Sequence, residues 1–384
     1  MNEDNEKLVK KLYDSIIIGL YSSDKEIYEY DIQLINQESK ELYLIVDNNY
    51  LLINKLNVKK FYLYSREKLL KLSRKITDLN EIEYDSLSLC VLLINPNFTT
   101  AWSTRKSLID SNRYNNKIQS IIQKEFYINN LILKKNFKCE QAYQHRRWLI
   151  KFICSISKAQ TNQISINDKS LIEFLQSEID LIKNLSKKLK QNYYCWTYFN
   201  WLLNHFLNLD LIQKILKDKD IIYENPSDFS VLHSRLHLID LLIKNTKDIK
   251  IKYDVLINEL ELCDDLVLRY SFYSTIWNYR KYFLTLMNKY INQIDIKTIS
   301  NDINNSNFKL AEISQALFSK IVDNQAFHDL TISFDSNFSD SIVNRELKLC
   351  DLIIFLYESN QFDKSSLVKN YSISYLKFIQ KFIK

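Results

Sequence analysis

One motif recurs five times along this chain and constrains its fold more than any other feature. In the first copy Trp102, which we define as position zero, is followed by Arg105 at +3, Leu108 at +6 and Ile109 at +7. Position zero is occupied in the successive copies by Trp102, Tyr143, Trp196, Leu232 and Trp277. Position +3 is occupied by Arg105, Arg146, Phe199, Arg235 and Arg280. Every residue at +6 and +7 is apolar, and both prolines of the chain, Pro96 and Pro226, stand six residues before position zero. Such long-period self-similarity predicts a repeat protein.

Composition indicates that the repeats are helical. The chain has 384 residues but one glycine and two prolines, whereas sheets and hairpins depend on Gly and Pro turns. Positions 0, +3, +6 and +7 share one face of a helix. Further amphipathic segments at 116–133, 171–189 and 255–268 lie between copies, and an apolar helix is predicted at 83–94. We therefore predict an all-α solenoid of antiparallel helix pairs.

Outside the repeats the pattern changes. Residues 1–22 predict a short helix, and the stretches 28–35 and 41–47 are typical of strands and suggest a small β-hairpin, with helix resuming near residue 63. The polar segment 155–170 predicts a surface loop. We divide the chain into an N-terminal extension (1–82), the repeats (83–290) and a C-terminal degenerate repeat or cap (291–384).

Charge and cysteine content exclude several classes of function. The net charge of +6 is small for this length and does not indicate nucleic-acid binding. The six cysteines include no Cys-x-x-Cys pair and lie apart from the five histidines, which argues against disulfides and a zinc site. The acidic N-terminus and the short apolar runs contain no secretion signal or membrane span. We therefore expect a cytoplasmic protein with no bound metal.

The copies resemble the protein prenyltransferase α-subunit repeat, whose pattern is roughly Asn-Tyr-x-x-Trp-x-x-Arg-Arg-x-x-Leu. Residues 191–196 (Gln-Asn-Tyr-Tyr-Cys-Trp) keep its front half, and residues 143–150 (Tyr-Gln-His-Arg-Arg-Trp-Leu-Ile) keep its back half. The copies at 98–109 and 277–284 keep most of it. Within the family, the first two copies are most similar to the divergent α subunit of type III geranylgeranyltransferase.

The resemblance implies a crescent of helix pairs wrapped around a separate β subunit of the Rab-geranylgeranyltransferase type. The β subunit would carry the zinc and the prenyl diphosphate, and the substrate would be a protein with a C-terminal cysteine. This chain would then be a non-catalytic subunit that binds neither cofactor. The alternative is a stand-alone α-solenoid adaptor that binds a peptide on its concave face, although spacings of 41, 53, 36 and 45 residues do not fit the regular tetratricopeptide period of about 34.

The resemblance also selects residues that would face the diphosphate or the β subunit. In farnesyltransferase-type α subunits a lysine directly before the Asn-Tyr of the third copy reaches the lipid diphosphate. Here that position is Gln191, with Lys190 one residue earlier and Tyr193 following the asparagine. The other candidates for this face are Arg146 and Arg147.

For most motif residues a structural role is the simpler interpretation. The aromatic residues at position zero are expected in the core. The +3 arginines are expected to bind carboxylates or carbonyl groups of a neighbouring repeat, in preference to direct contact with a partner. No carboxylate or nucleophile is spaced to orient His145, so we expect a histidine at the surface or at the edge of a helix.

Overall fold

The computed structural model describes residues 6, 7, 9–14, 27, 29–34, 43–46, 50–71, 81–113, 116–161, 169–291, 346, 350 and 365–382. Helices account for most of these residues, which confirms the predicted all-α helical repeat class. The chain forms two compact units, Met1–Phe199 and Asn200–Lys384. No helix in the described ranges is both long and apolar enough to cross a bilayer.

The strands are β1 (Glu29–Gln33), β2 (Tyr43–Val46) and β3 (Tyr50–Asn54). The first helices are α1 (Lys55–Lys71), α2 (Glu81–Ile94), α3 (Thr99–Ser111), α4 (Ile118–Lys135), α5 (Glu140–Thr161), α6 (Lys169–Lys188) and α7 (Tyr193–His205). The remaining helices are α8 (Leu209–Lys217), α9 (Asp220–Glu224), α10 (Phe229–Asn245), α11 (Ile249–Tyr270), α12 (Ser274–Ile291) and α13 (Ser365–Phe382).

The small sheet differs from the predicted hairpin in its pairing. Its strand order is β1-β3-β2, with β3 parallel to β1 and antiparallel to β2. The two predicted stretches therefore do not pair with each other, because β3 lies between them. Leu51 and Ile53 of β3 are fully buried, as suits a central strand. Helix α1 also begins at Lys55, earlier than expected.

Each motif copy forms a helix, and its apolar positions form the core. The five motif helices are α3, α5, α7, α10 and α12. All five residues at position zero are buried, and so are all ten residues at +6 and +7, as the pattern predicts. In the first unit Ile109 of α3, Ile118 of α4 and Leu149 and Phe152 of α5 form one such cluster. Burying large apolar side chains at this spacing joins one helix pair to the next.

Helix ends show which local predictions fail. Asp228 caps α10, as its position predicts, by accepting a hydrogen bond from the backbone N–H of Ser230 at 2.9 Å. A polar residue such as Thr99, three residues before Trp102, favours a cap, but Thr99 is instead the first residue of α3 and Phe98 is at the cap position. The predicted polar loop at 155–170 is also wrong in part, because α5 continues to Thr161. Most of the region from 292 to 364 lies outside the described residues, so α13 is the main part of the predicted C-terminal repeat or cap (291–384) that the structure describes.

Candidate functional site: buried triads and the turn before the third motif helix

The aromatic residue at position zero ties each motif helix to the turn before it. The indole N–H of Trp102 donates to the carbonyl oxygen of Pro96 at 2.7 Å, and that of Trp277 donates to the carbonyl of Ser271 at the same distance. The Tyr143 hydroxyl likewise donates to the carbonyl of Phe137 at 3.0 Å. In each case the acceptor stands at position −6.

The +3 arginines are buried, and each is held by a glutamate of a later element. Arg146 on α5 donates to Glu178 on α6 from Nε at 2.6 Å and from Nη2 at 2.5 Å. The hydroxyl of Tyr198, at position +2 of the next motif copy, donates to the same carboxylate at 2.5 Å. We call such a set of arginine, glutamate and +2 residue a triad. Charge-assisted, bidentate bonds of this kind are the strongest in proteins.

Four triads are present in the described residues. In the order arginine, glutamate and +2 residue, three of them are Arg105–Glu125–His145, Arg146–Glu178–Tyr198 and Arg235–Glu259–Tyr279. The fourth is Arg280–Glu346–Tyr375, in which a tyrosine of α13 takes the place of the +2 residue. In the first three, the glutamate stands 20 residues before its +2 partner. Sequence reasoning missed these glutamates, although their fixed spacing was present as a signal.

Electrostatics keep the triads charged despite burial. Desolvation alone would lower the pKa of Arg146, but attraction to Glu178 outweighs it and raises the pKa above its ordinary value. Burial would likewise raise the pKa of Glu125, but Arg105 and then His145 lower it well below the usual range. The arginines are therefore committed to internal ion pairs, which is a structural use of their charge.

The first triad corrects the expectation for His145, which is fully buried and not at the surface. Its Nε2 lies 2.7 Å from Glu125 Oε1, and its ring lies 4.6 Å from the ring of Trp102 and 5.6 Å from that of Trp148. Desolvation lowers the pKa of His145, although Glu125 opposes this shift. Glu125 is thus the orienting carboxylate that spacing alone did not reveal.

The third copy has a neutral substitute for the triad. Phe199 occupies +3 and is buried, in edge contact with the ring of Trp196. The +2 residue of the next copy is Ser234, whose hydroxyl donates to Asn200 Oδ1 at 2.5 Å. Loss of the arginine therefore coincides with loss of the tyrosine or histidine that would share its glutamate. This agreement avoids leaving a charged group buried without a partner.

The turn before α7 also departs from the other copies. Gln191 has a φ of 56°, the only positive φ at a non-glycine residue in the described ranges. Asn192 is buried, accepts from the N–H of Cys195 at 3.3 Å and donates to the carbonyl of Phe137 at 2.7 Å. The indole nitrogen of Trp196, whose −6 residue is Lys190, finds no hydrogen-bond partner among the described residues. In this copy, therefore, a left-handed residue is present in the turn and the usual hydrogen bond from position zero to the −6 carbonyl is absent.

The predicted site residues separate into two groups. Lys190, Gln191 and Tyr193 lie together in this turn with exposed side chains, and the side chain of Tyr193 is 66% exposed. Arg147 is half-buried, and desolvation lowers its pKa. Tyr198, Glu140 and Tyr193 act in the opposite direction, and the effect of Tyr193 shows that Arg147 lies near this turn. Arg146 is 2% exposed and points into its triad.

Lysines accumulate at this end of the first unit. Lys188 forms an ion pair with Glu29 and Lys135 with Asp31, so strand β1 draws together the C-terminal ends of α4 and α6. Hydrogen bonding from Lys135 lowers the pKa of Asp31 to about 2. The other lysines in these segments are Lys134, Lys138, Lys187 and Lys190. The turn is therefore flanked by positive charge.

Arg146 also lines an open groove of about 710 Å³ between α4, α5 and α6. Its apolar walls include Ile122, Phe126, Ile153 and Phe174. No cluster of His, Cys, Asp and Glu in the described ranges is suited to hold a metal ion.

The family model for the protein prenyltransferase alpha subunit repeat matches residues 122–153 and 256–287. Each match begins in an intervening helix, α4 or α11, and ends in the motif helix after it, and each contains a glutamate, a +2 residue and a +3 arginine. These two segments are protein prenyltransferase alpha subunit repeats. One repeat therefore supplies the glutamate that binds the arginine of the repeat before it.

Similar curated proteins carry the same description. The chain is 26% identical over 277 residues to the protein prenyltransferase alpha subunit repeat-containing protein 1 of Danio rerio, covering 62% of this chain and 64% of that protein. It is 30% identical over 206 residues to the Homo sapiens protein of that name, covering 50% of each. It is 30% identical over 229 residues to protein 1-B of Xenopus laevis, covering 55% of this chain and 51% of that protein. The matched region thus spans between half and two thirds of the relatives.

Proposed function

We propose that this repeat protein is the non-catalytic α subunit of a heterodimeric protein geranylgeranyltransferase. The β partner, of the Rab-geranylgeranyltransferase type, would hold the zinc and the prenyl diphosphate. The substrate would be a protein with a C-terminal cysteine. The family repeats are the observation that carries this proposal, because an α-subunit repeat array implies a β subunit in general.

The turn before α7 supports a place for the diphosphate. A lysine directly before Asn192 is missing, but Lys190 is exposed and the left-handed backbone at Gln191 changes the direction of the chain between them. This change of direction would allow Lys190 to reach the diphosphate in place of the missing lysine. Tyr193 and Arg147 provide an exposed phenol and a partly desolvated guanidinium beside it.

Co-expression with candidate β subunits tests the proposal. We expect a stable one-to-one complex in size-exclusion chromatography and geranylgeranyl transfer to a cysteine-terminated protein, with neither chain active alone. If the chain stays monomeric with every β subunit, the proposal is wrong. The adaptor alternative would then gain support from the groove beside Arg146, whose apolar walls suit a peptide.

Substitutions in the assembled complex test the site itself. Lys190→Gln should lower transfer about tenfold at limiting prenyl diphosphate, as expected for loss of one charge-assisted hydrogen bond. Tyr193→Ala should weaken transfer or assembly, whereas the control Tyr282→Ala, at a tyrosine that is 54% exposed on α12, should not. If the two tyrosine substitutions have equal effects, Tyr193 is not part of the site.

A further inference from the structure

Helix α1 exposes a straight row of leucines that no part of the proposed function uses. Leu56, Leu63 and Leu70 are 54%, 41% and 50% exposed. Seven residues fall about 20° short of two helical turns, so these side chains lie within roughly 40° of one another. The opposite face of α1, with Phe61 and Leu69, is buried and packs against α2. Because the opposite face of α1 packs against α2, folding of this helix does not require the exposed leucines.

Strand β1 extends this row. Gln33 at the end of β1 is in register with Asn54 at the end of the parallel strand β3. The next residue after Gln33 is Leu34, which is 61% exposed, and Leu56 follows two residues after Asn54. The two leucines thus emerge at the same edge of the sheet. We call Leu34, Leu56, Leu63 and Leu70 the leucine ridge.

Positive charge flanks the ridge along α1. Four exposed lysines, Lys55, Lys59, Lys60 and Lys71, outnumber a single exposed carboxylate, Glu67, which lies between the leucine row and Lys60. Lys59 and Lys60 lie on opposite sides of the leucine row, within about 60° of it. A narrow apolar line bordered by lysines is the pattern of a surface that contacts anionic lipid headgroups, with the lysine stems extending along the apolar zone.

We propose that the leucine ridge docks this chain on an anionic lipid bilayer. The ridge exposes on the order of 350 Å² of apolar surface, well below the roughly 800 Å² per partner of a specific protein interface. A bilayer accepts a convex row without a matching groove, and each basic residue near an anionic surface strengthens binding about fivefold. These magnitudes favour a membrane over an acidic helix of a protein partner.

Vesicle flotation of the full chain, alone or with its β partner, tests this proposal. We expect binding to phosphatidylcholine vesicles that contain 30 mol% phosphatidylserine, little binding to pure phosphatidylcholine, and release at 0.5 M NaCl. Lys59→Gln with Lys60→Gln should weaken binding about 25-fold, from two factors of five. Leu56→Ala, Leu63→Ala and Leu70→Ala together should abolish it. Because all five side chains are exposed, both variants should keep the wild-type circular dichroism and melting temperature.

A matched control lies on α6, where Lys169→Gln and Ile172→Ala remove an exposed lysine and an isoleucine that is 40% exposed. This control variant should float like the wild type. The proposal is overturned if the leucine variant binds vesicles as tightly as the wild type. It is also overturned if the chain does not bind phosphatidylserine vesicles, and binding of the ridge to an acidic protein helix would then identify the other kind of partner. Neither result bears on transfer activity, so failure here is distinct from failure of the proposed function.

Discussion

Replacing Glu178 by leucine should destabilise the chain strongly, because it leaves the guanidinium of Arg146 buried without a counter-charge. Three hydrogen bonds of 2.5–2.6 Å enter this carboxylate, two from Arg146 and one from Tyr198. After the substitution Arg146 keeps hydrogen bonds to the side-chain oxygens of Asn129 and Asn130, at 3.0 and 2.7 Å, and its position 4.8 Å over the ring of Phe126, and none of these groups is charged. Breaking a buried pair in this way costs about 3–5 kcal/mol in free energy of unfolding.

The triple variant Arg146→Met, Glu178→Leu and Tyr198→Phe should recover most of that loss. It removes every member of the triad, and apolar replacement of a complete buried ion pair is often neutral or stabilising. The third copy shows such a neutral solution, with Phe199 in place of arginine. We expect the triple variant within about 2 kcal/mol of the wild type, once the freed asparagine oxygens are counted.

Urea unfolding followed by far-ultraviolet circular dichroism and tryptophan fluorescence measures both effects. The control is Glu173→Gln on the same helix, at a carboxylate that is 67% exposed and 3.8 Å from Lys169, which should change the unfolding free energy by less than about 0.5 kcal/mol. The reasoning is refuted if Glu178→Leu costs no more than the control, or if the triple variant is less stable than the single one.

Three further predictions concern individual copies. His145 has a pKa below its unfolded value, so its contribution to stability should be present above about pH 6.5 and decrease by up to about 1.4 kcal/mol per pH unit as the pH falls below it. His145→Gln should flatten this part of the pH–stability curve in urea titrations, and an unchanged slope would contradict the assignment. Trp277→Phe should cost about 1 kcal/mol more than Trp196→Phe in the same assay, because only the first removes an indole hydrogen bond; equal losses would be inconsistent with the geometry. Gln191→Gly should raise the melting temperature, since a left-handed residue with a Cβ costs about 1 kcal/mol, and a fall on scanning calorimetry would argue against the positive φ.

Much of the fold was predictable because every copy of the motif has apolar residues at the same positions of a helix. The apolar residues at +6 and +7 are buried in every copy, since helical spacing alone places them on one face. The order of the strands was not predictable. Strand β3 is a short apolar stretch directly before a helix, and local sequence does not show which strands it pairs with. Local pattern also failed at 155–161, where polar residues extend α5.

The candidate site was less accessible from the sequence. A buried arginine and an exposed one look alike in a motif, and Arg146 and Arg147 differ only in which side of α5 they occupy. What separates them is Glu178, which stands 32 residues beyond Arg146. The constant interval of 20 residues from Glu125 to His145, Glu178 to Tyr198 and Glu259 to Tyr279 could have located the pairs. It is invisible until the +2 position is recognised as polar and buried.

The triads also restrict where this polypeptide can be divided. Their arginine–glutamate pairs join residues 105 to 125, 146 to 178 and 235 to 259, so a break between α3 and α4, between α5 and α6 or between α10 and α11 would place the two halves of a buried ion pair on separate chains. The loop at 206–208, between α7 and α8, is crossed by no triad. The hydrogen bonds that do cross it, such as Asn200 with Ser234, join neutral groups. Gene fission, a tolerated insertion or a split reporter should therefore succeed at this loop more readily than at the three connections that separate an arginine from its glutamate.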